Sequence, residues 1–348
     1  MARPAPRRTW SNSRMKAIAL LSGGLDSCLA VQVIQAQGVE VEAFNFQTAL
    51  CATGSKGASC GDATRIAAAQ GFNLRVIHIG QEYLDMVSRP KHGWGKNMNP
   101  CIDCRILMLR KARQHLDDVK ASFIITGEVL GQRPMSQHWR AMKTVEHESG
   151  LEGLLLRPLS ARLLPPTIPE IKGWVDRDRL PAIEGRQRKE QFAMAKAFGL
   201  VDPPTPASGC LLTDPAYSDR LRDVLRHSST GRLTVHLAQV IKYGRFFRFT
   251  PVAFVVVGRN EDDNFNLEGL QTESEWSFKP VNCVGPVALG VGELDGELRR
   301  KTASILARYA DRPADGQVLV AARQGPEGRD EMILTGALEP ERAGAARI

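Results

Sequence analysis

Six consecutive residues, Ser22-Gly23-Gly24-Leu25-Asp26-Ser27, have the make-up of a phosphate-binding turn. Gly23 and Gly24 carry no Cβ, so the backbone there can curl and aim several N–H groups at one anion. Ser22 and Ser27 add hydroxyl donors, and a helix opening at this turn would add its N-terminal dipole. Asp26 repels phosphate, so its natural route to a nucleotide runs through Mg²⁺. A second reactive group is the C-x-x-C pair Cys101 and Cys104, set after Pro100 and just before the helical run ILMLRKARQHL. Such a pair serves as half of a zinc site, as a redox dithiol, or in sulfur chemistry. A structural zinc would need two further ligands, for which His92, Cys51 and Cys60 are candidates. A thioredoxin-type pair would follow a strand, whereas Cys101 follows a Gly/Asn-rich loop. Cys28 falls on the helix after the phosphate turn and reads as core, and Cys283 reads as packing. Cys51 and Cys60 flank ATGSKGAS, which has the composition of a mobile lid; no chemistry is assigned to them.

The elements that must hold these groups alternate. KAIALL is a short apolar run suited to a buried parallel strand, and CLAVQVIQAQ has helical spacing that stops at Gly38. VEVEAFNF and NLRVIHI read as further strands, with the helix DATRIAAAQ between them. FIIT is a strand ending in a Gly-containing loop, and KEQFAMAKAFG is a helix near the end of this region. Strands alternating with helices predict an α/β fold, a doubly wound parallel sheet whose ligands bind at the carboxyl ends of the strands. Near residue 226 the pattern changes to β-branched strands (AFVVVG, VALGVG, QVLVAA, MILTG) and one amphipathic helix, ELRRKTASILARYAD. The expected organisation is a flexible extension over 1–14, a nucleotide-binding domain over 15–225, a second, smaller α/β or α+β domain over 226–338, and a disordered tail over 339–348.

SGGLDS resembles the signature of the PP-loop ATP pyrophosphatases, which adenylate a carbonyl-type oxygen and release pyrophosphate; the implied fold is of the adenine nucleotide alpha hydrolase type. Residues 123–137, FIITGEVLGQRPMSQ, are similar to a segment of the tRNA 4-thiouridine synthetases, as is LLLRPLSA near residue 155. That likeness implies that Gly127 and Glu128 line the nucleotide site and that Gln132, Arg133 and Gln137 lie toward the RNA. It further implies that Cys101, Cys104 and the distant Cys210, in PTPASGCLLTDP, converge beside the adenylate. The N-P-C-x-x-C form resembles members in which three thiolates hold a 4Fe–4S cluster with one open iron. The alternatives are zinc or no metal, with a persulfide carrying the sulfur instead. The second domain resembles the NFACT-R type of RNA-binding domain in Val257-Gly258-Arg259-Asn260, Asn264, Leu267, the segment Glu275-Trp276-Ser277-Phe278 and the helix ASILARYAD. It departs from that type at Lys279 and Val284-Gly285-Pro286-Val287.

The resemblances imply a tRNA sulfurtransferase using ATP and Mg²⁺. Phosphates would sit on Ser22, Gly23, Gly24, Asp26 and Ser27, adenine near Phe46, and sulfur would be handled by Cys101, Cys104 and Cys210. Asp26 and the three cysteines are the expected catalytic residues. The sulfur would come from free sulfide or from a cysteine desulfurase or sulfur carrier, and homodimerisation is left open. The rival is a PP-loop enzyme on a small molecule, like the nitrile-forming deazaguanine synthases, which bunch their cysteines near the C-terminus. Bulk properties agree with a polyanionic partner: 348 residues, formal net charge +8. Two basic groups could meet phosphate: Arg177, Arg179, Arg186, Arg188 and Lys189, and the set Lys242, Arg245 and Arg248 interleaved with Tyr243, Phe246 and Phe247. The basic start MARPAPRRTWSNSR lacks the apolar core of a secretory signal, and no apolar run approaches membrane-spanning length, so a cytoplasmic location is expected.

Overall fold

The structure, a computed structural model, describes residues 15–51, 62–200, 210–339 and 348. The expected extension over 1–14, Cys60 with the lid segment 52–61, and nearly all of the expected tail lie outside the described residues. The chain divides into two compact units, one made of 1–79 with 100–209, the other of 80–99 with 210–348.

The first unit carries a five-stranded sheet. Its elements in chain order are β1 (Lys16–Leu20), α1 (Leu25–Gln35), β2 (Glu40–Thr48), α2 (Asp62–Gln70) and β3 (Asn73–Ile79). α3 (Gln81–Ser88) belongs to the second unit. The first unit resumes with α4 (Cys101–Gln114), β4 (Phe123–Thr126), α5 (Trp139–Ser149), β5 (Leu155–Leu156), α6 (Ile168–Ile171) and α7 (Lys189–Ala197). All strand pairs are parallel, in the order β3-β2-β1-β4-β5. β1 lies at the centre, with Leu20 opposite both Phe44 and Thr126, and is buried on both faces as its apolar run requires. α1 is buried nearly all round, which explains why its sequence shows no polar face. The order reverses between β1 and β4, and a sheet of this kind binds ligands at that switch point, outside the carboxyl ends of the strands.

The second unit continues with α8 (Pro215–His227), α9 (Val235–Val240), β6 (Arg245–Thr250), β7 (Ala253–Val257), α10 (Glu261–Leu270) and β8 (Trp276–Pro280). It closes with β9 (Ala288–Val291), α11 (Gly296–Tyr309), β10 (Val318–Gln324) and β11 (Asp330–Thr335). Its six-stranded sheet runs β11-β10-β8-β9-β7-β6, antiparallel throughout. Its core joins Phe247, Val255, Phe278 and Val320 of the sheet to Ala303 and Leu306 of α11.

Two points depart from the sequence reading. RNEDDNFNL forms the start of a helix: Asn260 caps it by accepting from Asp263 N at 2.8 Å, and Glu261, Asp262 and Asp263 fill the first turn, where carboxylates suit the helix dipole. The segment 80–99 goes with the second unit because its polar groups are met there. Gln81 Nε2 donates to Leu233 O at 2.6 Å, Asn97 Nδ2 to Thr213 O at 2.7 Å, and Arg232 pairs with Asp85 at 2.6 Å.

Candidate active site

The turn after β1 is built by its own side chains. Gly23 takes φ 78°, a left-handed conformation that glycine adopts without penalty, and Gly24 caps α1 in an extended conformation. Ser27 Oγ donates to Gly24 O at 2.8 Å, and Ser22 N reaches Ser27 Oγ at 3.3 Å. The serine hydroxyls expected on phosphate therefore also shape the loop. Asn45 of β2 anchors the loop's entry by donating to Leu21 O at 2.8 Å. Phe46 follows on the part of β2 that extends beyond the end of β1, and its ring is buried.

The loop after β4 is pressed onto this turn. A Cβ placed on Gly127 would overlap Ser27 N and the carbonyl of Asp26, so the two chains approach as only glycine allows. Gln132 is buried, and its amide donates to Asp26 Oδ2 at 2.8 Å, so it serves the phosphate loop instead of an exposed RNA-facing surface. Gln137 is likewise buried, with its carbonyl accepting from Gly131 N at 2.7 Å. Arg133 is half-buried beside them. Arg188, just ahead of α7, lies 3.7 Å from Asp26 Oδ2. Asp26 Oδ1 is buried and has no hydrogen-bond partner among the described residues, which fits a carboxylate oxygen available to a cation.

Glu128 does not line an open site. It is 2% exposed and sits between two guanidinium groups. Arg157 Nε donates to its Oε2 at 3.1 Å, and Thr126 Oγ1 donates to the same atom at 3.1 Å. Arg105 Nε lies 3.0 Å from Oε1 as an ion pair without aligned hydrogen-bond geometry. Arg157 also binds Glu146 and Met142 O. Burial opposes the charge on Glu128, but Arg105 and Arg157 outweigh it and hold the carboxyl below its ordinary value of 4.5. A depressed folded pKa contributes stability above pH ~4.5 that is lost as pH falls through the folded value. The melting temperature of the wild type is thus expected to fall as pH drops below ~4.5, and Glu128→Gln should flatten that dependence.

Cys101 and Cys104 lie in the first turn of α4 itself, which opens at Cys101 and so begins ahead of the run ILMLRKARQHL, where the sequence reading placed the helix. Separated by three positions, they share a helix face. Arg105 follows them, and it is held charged: burial works against it, while Glu128 and then Cys104 and Cys101 favour its cation. The guanidinium and the N-terminal amides of α4 thus put positive potential at this turn. In the second unit, Cys210 opens a 3-10 turn, where Thr213 N and Oγ1 both donate to its carbonyl at 2.8 and 2.6 Å. Met98 N donates to Leu212 O at 3.1 Å, so the 80–99 segment fixes this turn. Among the described residues no group of three potential metal ligands is assembled. Cys28 is fully buried and burial pushes its thiol up to about 12, in keeping with a core role. Cys51 is disulfide-bonded.

The basic groups separate by role. Arg177 binds Glu170 and Leu164 O, and Arg179 donates to Ala36 O at 2.8 Å, so both tie loops together. Arg186 and Lys189 are exposed. In the second unit Phe246 and Phe247 are fully buried, which overturns them as stacking platforms. Arg248 pairs with Asp223 and lies 4.9 Å over the Phe254 ring, and Arg245 lies 4.3 Å over Tyr309. Burial pulls the Lys242 amine down to about 8. No helix among the described residues is long and apolar enough to cross a membrane.

Residues 12–162 match the family model described as thiamine biosynthesis protein (ThiI), and residues 244–345 match the NFACT protein RNA binding domain. Both resemblances drawn from the sequence are thereby supported. The tRNA-specific 2-thiouridylase MnmA of Pseudoalteromonas atlantica is 27% identical over 148 residues, covering 39% of this chain and 37% of that protein. The MnmA of Mannheimia succiniciproducens is 28% identical over 147 residues, with the same coverage of 39% and 37%. The chain thus spans well under half the length of the curated relatives it matches. A 4-thiouridine synthetase–RNA complex with bound ATP aligns at 20% identity and TM-score 0.34, covering 53% of this chain and 52% of that one. The C-terminal part of a Streptococcus suis fibronectin/fibrinogen-binding protein aligns at 13% identity and TM-score 0.27, covering 82% of this chain and 100% of that one.

Proposed function

We propose that this protein is an ATP-dependent tRNA sulfurtransferase that adenylates a uridine carbonyl oxygen and exchanges the adenylated oxygen for sulfur. The observation that carries the reading is the packing of Gly127 onto Asp26 and Ser27 at the switch point of the parallel sheet, which brings two loops together beyond the carboxyl end of β1 and supports a phosphate site there. Matches to ThiI and to the MnmA thiouridylases support thiolation chemistry, and the NFACT-type match supports an RNA partner. In this reading the α-phosphate of ATP meets the backbone amides of Gly23 to Ser27, with adenine toward Phe46. The loop amides and the α1 dipole stabilise charge as pyrophosphate leaves. Asp26, with one oxygen unpartnered among the described residues, would hold Mg²⁺, which supplies neutralisation of the phosphate charge.

Cys101, Cys104 and Cys210 are the proposed sulfur-handling residues. A 4Fe–4S cluster would draw on these three thiolates. Iron and acid-labile sulfide measured on anaerobically purified protein report its presence directly. The proposed site of action is the cytoplasm, where tRNA is modified. The test of the function is nucleoside mass spectrometry on bulk tRNA from cells with and without the gene. One thiolated nucleoside should vanish, returning with the wild type and not with Cys104→Ala. An unchanged profile, in a host with no second thiolase, would move the substrate to a small molecule.

A further inference from the structure

Arg188 reaches the phosphate loop, with its guanidinium 3.7 Å from Asp26 Oδ2. The route by which it arrives is built, residue by residue. Ser160 Oγ donates to Ile183 O at 2.6 Å and accepts from Leu130 N at 2.9 Å. Leu130 and Glu184 form a parallel bridge, and Gly185 N donates to Leu130 O at 2.7 Å. The segment 183–185 is thereby stitched to the same loop that presses Gly127 onto Asp26. Three residues later Arg188 stands at the head of α7 with its side chain 19% exposed.

The geometry at its end is incomplete in a particular way. Nη2 lies 3.7 Å from Asp26 Oδ2, an ion-pair distance too long for a hydrogen bond, and that oxygen is already taken by Gln132 at 2.8 Å. Arg188 Nη1 is buried and has no hydrogen-bond partner among the described residues. One turn on, Gln191 is fully buried with neither end of its amide bonded among the described residues. Buried donors are satisfied in nearly all folded proteins, so several at one helix end mark a place where a polar ligand completes the bonding. A guanidinium fork with a spare N–H, beside a phosphate loop and two helix N-termini, is suited to phosphate oxygens.

We propose that Arg188 binds the pyrophosphate half of ATP and stabilises it as the leaving group, while Asp26 holds the guanidinium in place. This rests on the adenylation reading above. In that step the uridine carbonyl oxygen bonds to the α-phosphorus as the bond to the β-phosphate oxygen breaks. The electron pair leaves on pyrophosphate, and the N3 proton passes to water. Arg188 meets the negative charge that accumulates on the departing group.

The experiment is equilibrium binding of inorganic pyrophosphate and, separately, of AMP to the full-length wild type and to Arg188→Gln. Loss of one charge-assisted contact should weaken pyrophosphate by about 10- to 100-fold. AMP affinity should change by less than about threefold, since the contact is absent from AMP. Arg188→Lys, which keeps the charge and loses the fork, should fall between. Unchanged pyrophosphate affinity in Arg188→Gln would overturn the assignment, and so would equal weakening of pyrophosphate and AMP, which would mean that Arg188 merely shapes the loop. If Arg188→Gln fails to fold, Arg188→Met is judged by the same two affinities. Failure of the wild type to bind ATP, AMP or pyrophosphate would instead sink the nucleotide reading itself, so the two failures are distinguishable.

Discussion

Substituting alanine for Gly127 is expected to weaken ATP binding by at least about 100-fold, the scale of losing well-placed phosphate donors from a preorganised site. The added methyl would occupy the space of Ser27 N and the Asp26 carbonyl. Neither is the end of a flexible side chain. Both are backbone at the start of α1, so relief requires either the β4 loop or the helix N-terminus to move. Moving the helix end redirects the N–H groups proposed to hold the phosphate. Moving the loop pulls Gln132 from Asp26. Isothermal titration with Mg·ATP would measure the loss. A variant that binds within threefold of the wild type would show that the loop contact does not set the nucleotide site.

The largest effect on stability is expected from Glu128→Ala, at about 3–5 kcal/mol, because it strips the counter-charge from buried guanidinium groups. Arg157 is itself only 4% exposed and would keep Glu146 as its one carboxylate partner among the described residues, with Met142 O beside it. Arg105 would lose the carboxylate that most favours its charge. Against total stabilities of about 5–15 kcal/mol, such a loss would leave the first unit marginal at 37 °C. Chemical denaturation, read separately for the two units by a probe in each, should show the midpoint of the first falling while that of the second holds. Glu128→Gln, which keeps a hydrogen-bond acceptor, should cost less. A smaller loss for alanine than for glutamine would mean that the carboxylate is not the hub described here.

Much of the first unit was legible because its signals are short-range. The apolar runs of β1 and β4, the helix DATRIAAAQ and the glycine turn between β1 and α1 each announce themselves within about ten residues. That ligands bind at the carboxyl ends of the strands followed from the alternation of strands and helices. Roles that depend on what faces a side chain across the fold were less legible. Glu128 stands in a segment that resembles a nucleotide site, yet its partners, Arg105 and Arg157, lie 23 residues before it and 29 after it, counted along the sequence. Phe246 and Phe247 sit in an aromatic, basic run that suits RNA stacking, yet as neighbours on β6 they face opposite sides of the sheet and both are fully buried. The helix α10 did carry a local signal, an Asn cap with three acidic residues behind it. Arg188 was one of five basic residues in a row of candidates, and nothing local distinguished it from Arg186.

The second unit is not a bead added after the first. The chain leaves the first unit after Ile79, returns at Pro100 and leaves again after Gly209. During synthesis the 80–99 piece therefore emerges long before the 210–348 portion that completes its surroundings. Tyr83, Leu84 and Val87, buried in the finished protein, must wait in the open through the time needed to make well over a hundred further residues. Gene fragments cut at a single point between the units would strand this piece on the wrong side. An independently expressed second unit would need residues 80–99 supplied, for instance through a short linker ahead of Cys210, to hide the same side chains.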